Sequence, residues 1–299
     1  MHTLTLELNW SRGNKMITMT KDGFNDKKIS LLKRSTSMNI GVILLLIMVL
    51  LAIFPQFIAT HGPTDCSYKD MLKPPSSKHL FGTDNYGRDI FSRVIFATRI
   101  DLTIGFFATI VPFVMGSLVG LLAGYYGKWL DSILMRILDI FMIFPFMVLV
   151  IAIIAILGGG IKNIYIAIWL VGWRYYARLV RSEVLQIKNL EFIQAAKTLG
   201  YNDSRIILRH VLPNVLNSAI VYAASDVVQC MLAAASLSFL GLGIQPPTPE
   251  WGAIISEGKA FIRTAWWTTV FPGIFLMISG LGFSFVGDGL SDILRTKGR

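Results

Sequence analysis

Between residues 38 and 289 the chain repeatedly runs for close to twenty residues with scarcely a charge, and this constrains its fold more than any other feature. About 20 apolar residues in a helix are what it takes to cross the roughly 30 Å hydrocarbon core of a bilayer. Lipid offers the backbone no hydrogen-bond partners, so runs of this length must satisfy their own peptide groups as helices. Only 15% of the 299 residues are charged and 54% are hydrophobic, where a soluble domain carries about a quarter charged residues. The prediction is an all-α integral membrane protein with six transmembrane helices, at residues 38–58, 101–124, 134–157, 161–176, 215–242 and 265–289. Pro145 falls inside the third of these and Pro55 near the end of the first.

The polar segments between them set the orientation. Residues 1–37 form a basic tail, 59–100 a long loop with Pro63, Pro74 and Pro75, 177–213 a basic island, and 290–299 a second basic tail. With the N-terminus inside, roughly two thirds of the 28 Lys and Arg residues fall on its side, so both termini and the island are expected in the cytoplasm and the 59–100 loop outside. The net charge of +10 then reads as cytoplasmic loops facing anionic lipid, and nucleic acid is not an expected partner. No apolar stretch begins before Met38, so no signal peptide is expected. Arg12–Met16 can be encoded by a run like a ribosome-binding site before an ATG, which leaves Met1, Met16 and Met19 as alternative starts. Cys66 lies in a loop and Cys230 in a predicted span, so no disulfide is expected. No inverted repeat is visible between the halves, which argues against a secondary transporter.

Within the spans, Gly116, Gly120 and Gly124 recur one helical turn apart and strip one helix face to backbone for close packing. Asp226, with Ser225 and Gln229 beside it, is either a functional polar site at membrane depth or a hydrogen bond to a neighbouring helix or a partner. Arg136 and Asp139 can pair on one helix face. No catalytic constellation and no metal-ligand spacing stands out; His210 has no second His or Cys near it. Gly127-Lys128-Trp129 lacks the rest of a phosphate-binding loop, so if ATP drives this protein another chain binds it.

The island's core, residues 191–213, reads as helix, turn, helix. Phe192, Ala195, Ala196 and Leu199 share one strip. Gly200 can take positive φ and end the first helix. Asn202, Asp203 or Ser204 can cap a second helix from Arg205 to Val211, and Pro213 is expected to end it. Ala195 and Ala196 offer a small-residue surface for a partner, and an amphipathic hairpin resting on the membrane is the alternative.

The spacing Gln194-Ala195-Ala196, Gly200, Leu212-Pro213 resembles the "EAA" signature of permease subunits in ABC importers, with Gln194 in place of the usual Glu and His210 in place of the usual Ile. The stretch from His79 to Arg93 (HLFGTDNYGRDIFSR) resembles that of dipeptide/oligopeptide/nickel permeases of the second-subunit type. So do Ala235–Gly243, Gln245–Gly252 and Gly287–Leu290, although Arg295-Thr296-Lys297 departs from the pattern near the end. The resemblance, from about Lys33 to Arg295, implies an ABC-importer permease in the inner membrane of a bacterium. It implies that Glu191, Gln194, Ala195, Ala196, Gly200, Arg205, Leu212 and Pro213 form a cytoplasmic coupling loop docking on an ATPase. It further implies a homologous second permease, two ATP-binding subunits that hold ATP and Mg, and an extracytoplasmic solute-binding protein. The solute would be a peptide, or alternatively nickel or a metal chelate.

Overall fold

The computed structural model describes residues 36–295; the basic N-terminal tail with its alternative starts, and residues 296–299, lie outside the described residues. Helix α1 (Thr36–Ile53) is followed by a short α2 (Pro55–Ile58). Arg99 donates to the carbonyls of Ala52 at 2.7 Å and Ile53 at 2.9 Å, satisfying acceptors that the end of α1 leaves open. Helix α3 (Ile90–Tyr126) begins inside the stretch expected as loop, because Asp89 caps it by accepting from the Ser92 N–H. It ends at Gly127, at φ 63°.

The expected third span is broken. Helix α4 (Lys128–Ile143) and helix α5 (Phe146–Leu157) meet at 87°. Pro145 drives Phe144 into extended backbone at ψ 140°, as the residue before proline prefers. The carbonyls freed at the break are taken by Arg174, whose buried side chain donates to Phe141 and Phe144. Asp139 pairs with Arg178 at 2.8 Å and not with Arg136, its neighbour along the helix.

Helix α6 (Ile161–Ile187) runs past the expected end at residue 176 and takes in the start of the island. It packs along α3 on the glycine stripe: a Cβ at Gly116 would stand 2.2 Å from the Trp173 carbonyl oxygen, and one at Gly120 2.4 Å from that of Ala177. Lower down come helix α7 (Glu191–Thr198), helix α8 (Asp203–Ile206), a π turn (Ile207–Val211) and helix α9 (Leu212–Phe239). Pro213 does not end a helix. The π turn carries the chain through it, with the Leu212 N–H reaching back to Ile207 and the Asn214 side chain donating to the His210 carbonyl at 2.6 Å. Asp203–Phe239 is therefore one helical rod. Helix α10 (Trp251–Gly258) and helix α11 (Trp267–Arg295) complete the order, and α11 runs into the stretch expected as tail. Helix α1 lies against α11, where a Cβ at Gly41 would meet the Val286 nitrogen at 2.7 Å.

Among the described residues, four helices are long and apolar enough to cross a membrane: α1, α3, the Asp203–Phe239 rod and α11; the bent pair adds a fifth if counted as one span. The stretch expected as a fourth span lies in α6, whose Lys162, Arg174, Arg178 and Arg181 keep it out of that set. Cys66 and Cys230 are both free.

Candidate functional site

Two constellations lie at opposite ends of α3. At its C-terminal end sits the hairpin of α7 and α8. Gly200, at φ 76°, closes α7: its N–H bonds to the Lys197 carbonyl at 2.9 Å and the Tyr201 N–H to that of Ala196 at 3.2 Å. This pair of bonds is a Schellman closure, which needs a left-handed residue where Gly200 stands. Asn202 caps α8, accepting from the Arg205 N–H at 3.0 Å. Tyr125 at the end of α3 donates to Asp203 at 2.7 Å.

Ile193 and Ala196 turn inward, and with Ile206, Ile207 and Val211 they pack on Leu121, Tyr176, Val180 and Val184 of α3 and α6. The strip expected from the sequence is thus split. Ala196 is 5% exposed and serves the hairpin's own packing, while Ala195, Phe192 and Leu199 face out. Leu199 is 72% exposed and Leu208 64%. Glu191, Gln194 and Arg205 are also exposed; Gln194 donates to the Lys188 carbonyl at 3.1 Å, and the Arg205 guanidinium lies 4.2 Å over the Tyr201 ring. Leu212 is half-buried and Pro213 exposed at the base of α9. The seat beneath is cross-linked: Arg181 grips Asp131 through two bonds at 2.5 and 2.7 Å, and Lys188 donates to the Gly124 carbonyl at 2.8 Å.

Above the hairpin, one side of α9 is exposed and polar. Asn214, Asn217, Ser225, Gln229 and Ser236 fall at helical spacing along it. A cleft of about 520 Å³ opens at its lower part, lined by Asn214, Asn217, Ser218, Tyr222, Ser225 and Ser291. Asp226, half-buried beside this face, accepts from the Tyr176 hydroxyl at 2.8 Å. Asp226 thus ties α9 to α6, while Gln229, three residues on, stands on the open face.

At the other end of α3 a buried ion network gathers residues whose pairing no spacing or motif suggests. Asp84 accepts from Arg88 and Arg93, each at 2.6 Å, and both guanidiniums also grip Glu257 of α10, at 2.8 and 2.6 Å. Trp267 donates to the Thr83 carbonyl at 3.0 Å, and the Trp251 indole to that of Val94 at 3.2 Å. Glu250 caps α10 through Gly252 and Ala253, and burial pushes its carboxyl up from the ordinary range. Lys73, then Lys78, hold the Asp70 carboxyl well below it. The motif stretches 79–93 and 245–252 thus meet in one cap.

The chain matches the family described as "Binding-protein-dependent transport system inner membrane component" over residues 116–298. It is 44% identical, over 89% of its own length and 88% of the relative's, to the dipeptide transport system permease protein DppC of Alkalihalophilus pseudofirmus. It is 40% identical, over 84% of each chain, to the glutathione transport system permease protein GsiD of Pectobacterium atrosepticum. Among solved structures, an inward-facing form of the MetNI methionine ABC transporter superposes with a TM-score of 0.57, covering 70% of this chain and 98% of that one at 21% identity, a likeness of fold alone.

Proposed function

The chain belongs to the family of binding-protein-dependent transport system inner membrane components, and from that premise we propose how it works as the permease subunit of an ATP-driven importer of peptides. It is a multi-pass transport subunit and not an enzyme. Dipeptide and glutathione permeases among its relatives favour a short peptide as solute. In this reading a second, homologous permease faces the polar side of α9, and the solute passes between the two. An exposed polar stripe on a helix apolar enough for lipid is stable only against protein or water. Two ATPase subunits hold and hydrolyse ATP with Mg, and a separate binding protein delivers the solute from outside. Six segments cross or enter the bilayer, with both termini and the hairpin in the cytoplasm.

The observation that carries this reading is the two-sidedness of the hairpin. One face is locked into α3 and α6; the other leaves Phe192, Leu199 and Leu208 exposed among the described residues. Docked in a cleft on the ATPase, that apolar face transmits its closure. The rod Asp203–Phe239 is about 55 Å long at helical rise and carries the displacement from the hairpin to the polar stripe. Glu191, Gln194, Ala195 and Arg205 would form the contact's polar surround, with Ala196, Gly200, Leu212 and Pro213 holding its shape.

Uptake of a labelled dipeptide into vesicles should stop when the cognate ATPase subunits are omitted or made unable to hydrolyse ATP. Uptake that continues without them would point to a secondary transporter and sink the proposal.

A further inference from the structure

We propose that His61, His79 and Asp89 form a binding site for a divalent transition-metal ion of the zinc type, clamping the segment after α2 to the start of α3. The His79 Nδ1 lies 2.9 Å from Asp89 Oδ1, and the His61 Nδ1 lies 3.9 Å from the same oxygen. The three ligand atoms all stand within 4.8 Å of one another. Nitrogen and oxygen ligands around tetrahedral zinc stand about 3.3 Å apart, so shifts of about 1.5 Å at most close the set on an ion. The two imidazole rings stack with centroids 4.9 Å apart, within reach of small side-chain rotations.

The surroundings hold these atoms in place, and an ion would displace the Thr60 hydroxyl that now meets His61 Nδ1 at 2.9 Å. Asp89 spends its Oδ2 on the Ser92 N–H at 2.8 Å and the Ser92 hydroxyl at 2.7 Å, leaving Oδ1 turned toward the imidazoles. The backbone of His61 is pinned to the same hydroxyl at 3.0 Å. His79 is 3% exposed, and its far nitrogen, Nε2, is buried without a hydrogen bond, 3.8 Å from Asp70 Oδ2. A carboxylate behind the far nitrogen of a ligating histidine is the usual outer shell. His61 is about a third open, which gives an ion a way in and leaves room for water as a fourth ligand. Two imidazoles with one carboxylate select zinc, cobalt, nickel or copper over magnesium and calcium, which want oxygen sets. The competing reading is that His79 only bridges Asp89 and Asp70 by charge, with His61 resting on it.

Cobalt(II) is the probe that separates the two. The full chain, purified in detergent with a tag free of histidine, is titrated with Co²⁺ and followed by visible absorption, then by Zn²⁺ competition and metal content. One Co²⁺ per chain is expected, displaced by Zn²⁺ and weakened more than about tenfold by His61→Ala or His79→Ala. The other two of the four histidines, His2 and His210, serve as the control, and binding should survive their joint replacement by Ala. His61→Ala is the decisive variant, because its ring is partly open and its loss should leave the melting temperature without metal unchanged; His61→Gln repeats the test with the polarity kept. Binding unaltered in both His61 variants, or absent from the wild type, overturns the proposal.

Discussion

Replacing Leu199 by Ala isolates the docking role proposed for the hairpin from its folding. The side chain is 72% exposed, so this chain has little of its packing to lose. Leu→Ala removes three carbon groups; at about 0.8 kcal/mol each, scaled by the open fraction, docking should weaken by roughly 1.7 kcal/mol, or nearly twentyfold. The stability of the isolated permease should change by less than about 0.5 kcal/mol, as for surface substitutions in general. The measurement is affinity for the purified ATPase subunits, with the permease in lipid nanodiscs, beside a thermal melt of the permease alone. Ala196→Glu is the contrast. At 5% exposure it drives a charge into the hairpin's own packing, so its melt should fall together with its ATPase binding. Leu199→Ala with unchanged affinity would refute the assignment of the outward face to docking.

Three further outcomes follow from the geometry. Gly120→Val should separate α3 from α6, since a Cβ there would stand 2.4 Å from the Ala177 carbonyl oxygen; a loss of about 1–3 kcal/mol, read as a lowered melting temperature, is the overpacking cost. Arg93→Met leaves Asp84 and Glu257 each short of a partner in a buried network, and breaking such a pair costs about 3–5 kcal/mol, visible as a lower melting temperature with the hairpin's ATPase affinity unchanged. Gln194→Glu gives up one exposed bond to the Lys188 carbonyl, and peptide uptake should stay near wild type.

What the sequence could tell depended on how local the cause was. The Gly116–Gly124 stripe and the turn at Gly200 are decided within a few residues, and both could be read from the letters. The cap joining Asp84, Arg88 and Arg93 to Glu257 could not, because its partners lie 164 and 169 residues apart in the chain. The same holds for Arg174, which looks like a stray charge in a span until the broken end of α4 is seen beside it. Prolines were ambiguous for a physical reason. Pro145 breaks its helix by holding Phe144 in extended backbone, whereas Pro213 sits just past a π turn through which the helix continues. Phe192 and Ala196 share a helical strip on paper, but the hairpin packs on α3 and α6 through Ile193 and Ala196, which buries Ala196 and leaves Phe192 exposed.

The π turn that joins α8 to α9 inside the rod has the form of a screw thread. It holds one more residue per turn than the α-helix on either side of it. Were that surplus residue wound back into α geometry, everything on one side would turn by about 100° and shift by about 1.5 Å relative to the other. A push on the hairpin therefore has two ways to travel, along the rod as thrust and around it as torque. The second would swing Asn217, Ser225 and Gln229 toward or away from whatever faces them, with no change in the length of the helix that bears them beyond that single step.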